Sequence, residues 1–321
     1  LVRALPPRRT LWERLTHPPR MLEDVDVLYV HGWSDYFFQR HLAEFWTTRG
    51  ARFYALDLRK YGRSLREGQT KGYIENLTDY DLEIALALEA MGHAPLPQGA
   101  ASEPEKARRL VLLGHSTGGL VLSLWADRHR GAADALILNS PWLELQLSGG
   151  VRTALAPIVN LRARLTPREL ALPQLDLGFY NRAQRMVSDP REIDEINAEW
   201  RPQHTYPVLA GWLNAILSGH ARVAAGLDVG APACVLLSTR SQFGVGWRDD
   251  MLRADTVIEV NTAAQAALRL GPSVTIERID GALHDVFISE RRARADAFAR
   301  LDRWLLGWIA VERSVEDRGS G

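Results

Sequence analysis

The sequence is poor in cysteine, and its charges show no excess of either sign. A single cysteine, Cys234, stands among 321 residues, so no intramolecular disulfide can form. It lies in the apolar run ACVLLS, where a buried thiol is the expected state. The 39 basic residues equal the 39 acidic residues, which argues against a nucleic-acid partner and against a polybasic membrane anchor.

Metal-binding spacings and long apolar runs are also missing. The nine histidines show no H-E-x-x-H pattern, so we expect no catalytic metal. No stretch approaches the roughly 20 apolar residues that a membrane helix needs. No signal peptide is visible, and we expect a cytoplasmic location, although a chain that begins with Leu1 rather than Met leaves export open.

Six short apolar runs alternate with helical patterns along the chain. Parallel strands that are covered on both faces lose their polar alternation, so these runs predict buried strands. The order predicts an α/β fold with a mostly parallel central sheet and helices on both faces. The predicted strands are Asp26–Val30, Arg52–Leu58, Arg109–Gly114, Ala135–Ser140, Cys234–Thr239 and Val274–Asp280, and the predicted helices are Tyr36–Arg49, Asp79–Met91, Gly118–His129, Asn261–Leu270 and Arg291–Val311.

Residues 142–230 interrupt this alternation. They show no convincing strand, and the stretch is too long for a loop. The helical pieces, separated by prolines, are predicted at Gly149–Leu165, Pro190–Trp200 and Tyr206–Leu227. We therefore predict a helical cap at 142–230, inserted between a first part of the core at 1–141 and a second part at 231–311. The polar residues 312–321 are predicted to form a disordered tail.

Gly114-His-Ser116-Thr-Gly118 matches G-x-S-x-G, and it follows a predicted strand and opens a predicted helix. This is the context in which the pattern holds a nucleophilic serine on a strained turn. The glycines let the strand and the helix approach each other. The alternative is that Ser116 only caps the helix, a frequent role for serine. A nucleophile, unlike a helix cap, requires a base and an acid elsewhere in the chain, so the presence of these partners distinguishes the two roles.

A nucleophilic serine needs a base, and the base needs an orienting acid. In this architecture the order along the chain is serine, acid, histidine. His284 follows the last predicted strand and is the expected base. The acid should follow the preceding strand, where three aspartates are available. We prefer Asp255, with Asp250 as the fallback and Asp249 as the third candidate.

Two backbone N–H groups are expected to stabilise an oxyanion. One belongs to Thr117, directly after the serine, and the other to Trp33 in the loop His31-Gly-Trp-Ser-Asp35. His31 and His115 are expected to hold loops through hydrogen bonds rather than to act as bases.

Four segments of the chain resemble the serine hydrolases of the α/β-hydrolase fold family. They are YVHGWSDY, ALDLRKYGRS, LLGHSTGG and GALHDVF, and the nearest subgroup is monoacylglycerol-lipase-like and serine-aminopeptidase-like. The resemblance covers about Val25–Trp142 and Ala231–Ile309. It implies acyl transfer through an acyl-enzyme on Ser116, with His284 as base and Asp255 as its partner, and it implies no cofactor.

The chain departs from this family at its start. The family begins with an antiparallel hairpin, but here a short, proline-rich segment precedes Asp26. We expect the first strand to be missing or the edge of the sheet to be remodelled.

The expected function is hydrolysis of a small-molecule ester by a carboxylesterase or lipase-like enzyme. An apolar or aromatic pocket is predicted. A related acyl hydrolase (aminopeptidase, amidase or lactonase) is the alternative, with Glu144, Glu195 and Glu199 as candidate anchors for a substrate amine. A non-catalytic binding protein on the same scaffold is the third possibility. The predicted substrate-binding residues are Trp33, His115, Trp142, Tyr180 and Trp212.

Overall fold

The protein is built around one seven-stranded sheet. A computed structural model describes residues 1–93, 108–145, 161–171 and 176–319. The strand order is β1-β3-β2-β4-β5-β6-β7, and every neighbouring pair is parallel except β1 and β3. The strands are β1 (Val2–Ala4), β2 (Val25–Val30), β3 (Arg52–Leu56), β4 (Arg109–His115), β5 (Ala135–Asn139), β6 (Ala233–Ser238) and β7 (Val274–Ile279).

Helices cover both faces of this sheet, as the sequence predicts. Alternate side chains of β2, β4, β5 and β6 point into two separate apolar cores, which explains why these strands read as unbroken apolar runs. One core is closed by α3, α4, α7 and α8, and the other by α2 and α9. The helices are α1 (Leu11–Thr16), α2 (Arg40–Thr48), α3 (Asp81–Met91), α4 (Thr117–Arg128), α5 (Phe179–Val187), α6 (Pro190–Ile193), α7 (Ala210–Ala224), α8 (Val260–Ala267) and α9 (Arg291–Gly319).

The edge of the sheet beside β3 carries a short strand, so it is remodelled and its first strand is not missing. The three-residue strand β1 pairs antiparallel with β3, with Arg3 opposite Tyr54. A single short strand therefore lies where the resemblance implies a hairpin.

The segment between β5 and β6, residues 142–230, is here called the insertion. Its described part is helical and contains α5, α6 and α7. The helix predicted from Pro190 to Trp200 ends at Ile193. One reason is that the Asn197 side chain accepts the N–H groups of Glu199 and Trp200, a local bond that competes with helix. The predicted helix around 149–165 lies outside the described residues except at 161–165, which are helical.

The end of the chain differs from the predicted disordered tail at 312–321. Helix α9 continues to Gly319. Its apolar stripe packs on the sheet as far as Ile309, and neither proline nor glycine occurs between Val311 and Arg318 to stop it. The helix therefore continues through polar residues beyond the end of its apolar stripe.

Cys234 lies in β6 and is fully buried, as its apolar surroundings predict. Burial raises the pKa of its thiol far above the ordinary value, so the thiolate is disfavoured. Within the described ranges, no helix combines the length and the apolar character that a membrane span requires.

The carboxyl ends of the parallel strands meet at one edge of the sheet, which is where open α/β sheets place their sites. His31 follows β2, Ser116 follows β4, Ser140 follows β5, and Asp280 begins the turn after β7. Residues far apart in sequence are thereby brought to a common edge.

Candidate active site

Ser116 lies at the point of a sharp turn between β4 and α4. Its backbone has φ 51° and ψ −117°, a conformation that non-glycine residues rarely adopt. Its N–H donates to the carbonyl of Asn139 at 3.0 Å, and its own carbonyl accepts the N–H of Trp142 at 3.0 Å. The Ser116 side chain makes no capping hydrogen bond to α4. Its position is therefore not explained by capping of the helix.

The close approach of α4 to the sheet depends on glycine. A Cβ atom on Gly118 would lie 2.3 Å from the carbonyl oxygen of Val30 and 2.4 Å from that of His31. A Cβ on Gly114 would lie 2.6 Å from the Cα of Gly119. These neighbours are backbone atoms, so a side chain at either position would push the helix away from the strands.

Gly118→Ala is expected to lower the free energy of unfolding by about 3 kcal/mol, since the added methyl overpacks the junction of α4 and β2. Gly307→Ala is the matched control. Nothing lies within 4 Å of a Cβ on Gly307, and the residue is in α9. Its replacement should stabilise the helix by about 0.5–1 kcal/mol. Urea denaturation of both variants measures the two effects, and equal effects would contradict this account.

His284 and Asp255 are in direct contact. His284 Nδ1 lies 2.8 Å from Asp255 Oδ2, and both side chains are buried. The other carboxylate oxygen of Asp255 accepts the N–H groups of Val257 at 2.7 Å and Ile258 at 2.9 Å. This arrangement orients the carboxylate and favours the His284 tautomer that carries its proton on Nδ1.

The two other candidate acids lie apart from this contact. Asp250 pairs with the guanidinium of Arg248 at 2.9 Å, and Asp249 accepts a hydrogen bond from the Trp247 ring at 3.3 Å. Of the three aspartates, Asp255 is the one that the structure places against His284. The remaining ring nitrogen of His284, Nε2, is buried and has no hydrogen-bond partner among the described residues.

A buried polar group holds the loop of His284, and no sequence pattern pointed to it. Asp285 accepts hydrogen bonds from Asn139 Nδ2 at 2.7 Å and from Gln39 Nε2 at 3.1 Å. The Asn139 side chain also accepts the N–H of Val286 at 3.1 Å. Since the Asn139 carbonyl accepts the Ser116 N–H as well, one residue at the end of β5 connects the turn of Ser116 with the loop of His284.

The two predicted oxyanion donors flank Ser116. Thr117 is the first residue of α4, and the first N–H groups of a helix have no partner inside it. On the other side, a Cβ on Gly32 would lie 3.0 Å from Ser116 Cβ, so the loop that carries Trp33 packs directly against the serine.

A cavity of about 670 Å³ opens at this point. Ser116, Thr117 and His284 line it. The rings of Trp33 and Trp212 are in contact, with centroids 3.7 Å apart, and Tyr180 presents its ring to that of His284 at 5.5 Å. The five residues predicted to bind substrate all line the cavity, namely Trp33, His115, Trp142, Tyr180 and Trp212.

His31 and His115 make the hydrogen bonds expected of residues that hold loops. His31 Nε2 accepts the N–H of Leu58 at 3.1 Å, and its Nδ1 lies 2.8 Å from the Gly32 carbonyl. His115 Nδ1 lies 3.1 Å from the Asn139 carbonyl. Burial lowers the pKa of His115, which favours its neutral form at neutral pH.

The charged residues at the cavity are largely engaged with the protein itself. Asp35 pairs with Arg201, whose Nε lies 2.9 Å from Oδ1 of the carboxylate. Asp176 accepts the N–H groups of Gly178 at 2.8 Å and Thr205 at 2.6 Å. The glutamates suggested as amine anchors, Glu144, Glu195 and Glu199, are not among the described residues that line the cavity.

Comparison with known proteins gives one family and several structural neighbours. The family model described as "Serine aminopeptidase, S33" matches residues 24–292. A monoacylglycerol lipase of Mycolicibacterium smegmatis is 25% identical over 165 residues, which cover 50% of this chain and 52% of that protein. The chain thus spans about half the length of the curated relatives it matches.

Many solved structures share the fold, and two lipases are examples. A monoacylglycerol lipase from Paleococcus ferrophilus superposes with a TM-score of 0.61 at 17% identity, covering 88% of this chain and 94% of that one. A soluble variant of monoglyceride lipase from Saccharomyces cerevisiae gives a TM-score of 0.59 at 17% identity, covering 88% of each chain. At this level of identity the likeness supports the fold alone.

Proposed function

The chain belongs to the serine aminopeptidase S33 family of α/β-hydrolases, and on this basis we propose that it is a serine hydrolase that cleaves a carboxylic ester. The observation that carries the proposal is that Ser116 and His284 line one cavity, while Asp255 contacts His284. Ser116 stands on a strained turn, and His284 is held by Asp255 with its Nε2 atom unpartnered in the described structure.

In the proposed reaction the Ser116 hydroxyl attacks the carbonyl carbon of the ester while His284 Nε2 accepts its proton. Asp255 stabilises the imidazolium that forms. The alcohol leaves with the proton held by His284, and an acyl-enzyme remains on Ser116. Water activated by His284 then attacks the acyl carbonyl, and the acid is released as the proton returns to Ser116.

The backbone N–H groups of Thr117 and Trp33 are proposed to donate to the oxyanion of both tetrahedral intermediates. The position of Thr117 at the start of α4 supports this role, because a helix N-terminus stabilises negative charge. The contact between Gly32 and Ser116 supports the role of the neighbouring Trp33 amide.

The cavity supports an ester with an apolar or aromatic group as substrate. Its aromatic residues Trp33, Trp142 and Trp212 offer a large apolar surface. The insertion supplies Tyr180, Trp212 and Arg201 to this cavity, which supports its proposed role as a cap over the active site.

Ester cleavage is favoured over removal of an amino-terminal residue from a peptide. An aminopeptidase needs a carboxylate that is free to bind the substrate amine. Of the carboxylates that line the described cavity, Asp35 is paired with Arg201 and Asp176 accepts two backbone N–H groups. Both are therefore engaged before a substrate arrives.

A panel of substrates tests this proposal. We expect turnover of p-nitrophenyl esters, with KM falling as the acyl chain lengthens from acetate to octanoate, and no turnover of aminoacyl p-nitroanilides. The release of p-nitrophenol or p-nitroaniline is followed by absorbance in both series. Turnover of the anilides alone would contradict ester hydrolysis and indicate a peptidase.

A further inference from the structure

The loop that carries Trp33 is tied to the insertion at three successive residues. Asp35 forms the ion pair with Arg201 at 2.9 Å. The Ser34 hydroxyl accepts the N–H of Tyr206 at 3.2 Å, and the hydroxyl of Tyr36 accepts the N–H of Asn197 at 2.9 Å. We call residues 31–36 the oxyanion loop. Residues 34–36 of this loop thus contact insertion residues 197–206.

This loop contains a residue that needs such support. Ser34, next to Trp33, has φ 54°, a left-handed backbone that is unfavourable for a residue with a side chain. Such a conformation persists only where the surrounding structure enforces it. The contacts of Ser34 and Asp35 with the insertion hold this conformation. Ser34 and Asp35 are the first and second residues after Trp33.

Arg201 is fixed in place rather than free to follow a ligand. Its side chain is 8% exposed, as is that of Asp35. It also donates to Gln184 Oε1, and its guanidinium lies over the rings of Phe38 at 5.2 Å and Tyr180 at 5.7 Å. A guanidinium held on several sides, with its Nε 2.9 Å from the Asp35 carboxylate, keeps one orientation. Such an arrangement suits the fixing of a loop.

We propose that Arg201 is a positioning residue that, through Asp35, holds the oxyanion loop so that the Trp33 amide faces the reacting carbonyl. This inference rests on the proposed function, because it assigns the Trp33 amide to the oxyanion. It further means that the oxyanion site is complete only while insertion residues 197–206 lie against the loop. The ion pair thereby makes catalysis depend on the placement of the insertion.

The test separates stabilisation of the transition state from substrate binding. Arg201→Met removes the charge and keeps a long apolar side chain, and Asp35→Asn keeps the shape of its residue. For p-nitrophenyl butyrate we expect each to lower kcat by about 100-fold with KM changed less than about threefold, the loss seen when one oxyanion donor is removed. Arg201→Lys, which retains the charge on a different donor group, should recover about a tenth of wild-type kcat.

Phenylboronic acid provides a second readout. Ser116 Oγ forms a bond to boron, its proton passes to His284, and the negative charge resides on the tetrahedral boronate, so no group leaves. Because the boronate oxygen needs the oxyanion donors, Ki should rise by about 100-fold in Arg201→Met and Asp35→Asn. A merely structural role would leave the ratio of Ki to KM unchanged.

The control is Glu195→Gln, which breaks an exposed ion pair between the same insertion and Arg40 of α2. It should leave kcat, KM and Ki at wild-type values. If Arg201→Met does not fold, as judged by circular dichroism, the same changes in kcat, KM and Ki are measured in Asp35→Asn. Unchanged kcat and Ki, or a rise in KM alone, would overturn the inference. Retention of activity in Ser116→Ala would overturn the proposed function instead.

Discussion

Replacement of Ser116 by alanine is expected to lower kcat for p-nitrophenyl butyrate by about 10⁵- to 10⁶-fold, the loss seen when a serine nucleophile is removed from a working triad. The variant lacks the only atom proposed to bond to the acyl group, while His284 and Asp255 stay in place. KM should change little, since the walls of the cavity are intact. Stopped assays over hours, calibrated against the uncatalysed rate, measure the residual activity.

Ser218→Ala is the matched control. Ser218 is exposed on α7, and its hydroxyl donates only to the Asn214 carbonyl within its own helix. Its loss should leave kcat unchanged within about twofold, as for most surface substitutions. Wild-type turnover in purified Ser116→Ala protein would contradict an acyl-enzyme on this residue.

Asp255→Asn should lower kcat by about 10⁴-fold through the wrong tautomer of His284. The oxygen of the new amide would keep the bonds that Asp255 Oδ1 now accepts from Val257 and Ile258. Its NH₂ group would then face His284 Nδ1 and donate to it. The ring proton would move to Nε2, where the base must be unprotonated to accept the proton of Ser116.

Asp250→Asn tests whether the right aspartate has been assigned. Asp250 pairs with Arg248 outside the contact with His284, so its replacement should leave kcat within about twofold of wild type. The pH dependence of kcat/KM for both variants identifies which aspartate acts on the base. Loss of activity in Asp250→Asn with retention in Asp255→Asn would reverse the assignment.

The buried parts of the fold were predictable from sequence because their patterns are local. The strand before Ser116 is a buried apolar run, and the glycines of G-x-S-x-G mark the junction of β4 and α4. The predicted α/β fold, with its mostly parallel sheet, is confirmed. These features depend on residues within a few positions of one another.

The loop contacts were not predictable in the same way. Three aspartates lie between β6 and α8, and the sequence favoured Asp255 with Asp250 as the fallback. The short distance from Asp255 to His284 in the folded chain separates the two. The polar bridge through Asn139 and Asp285 joins two strand ends that are remote in sequence. The pairing of Asp35 with Arg201 likewise joins a core loop to the insertion, and a charged residue in a sequence does not reveal its partner.

The end of α9 illustrates a different limit. Polar composition predicted a disordered tail after Val311, yet the helix continues to Gly319. Composition indicates whether a segment can bury apolar surface of its own. This segment can be helical without burying apolar surface. It extends a helix that its first half already anchors on the sheet, and extending an existing helix is easier than nucleating a new one.

The most direct test of the central claim is to trap the acyl-enzyme chemistry on the protein. A p-nitrophenyl alkylphosphonate should transfer its phosphonyl group to the nucleophile with release of p-nitrophenolate. We predict one adduct per chain by intact mass, located by peptide mapping at Ser116 and absent from Ser116→Ala. An adduct on another residue, or equal labelling of Ser116→Ala, would contradict the claim that Ser116 is the nucleophile.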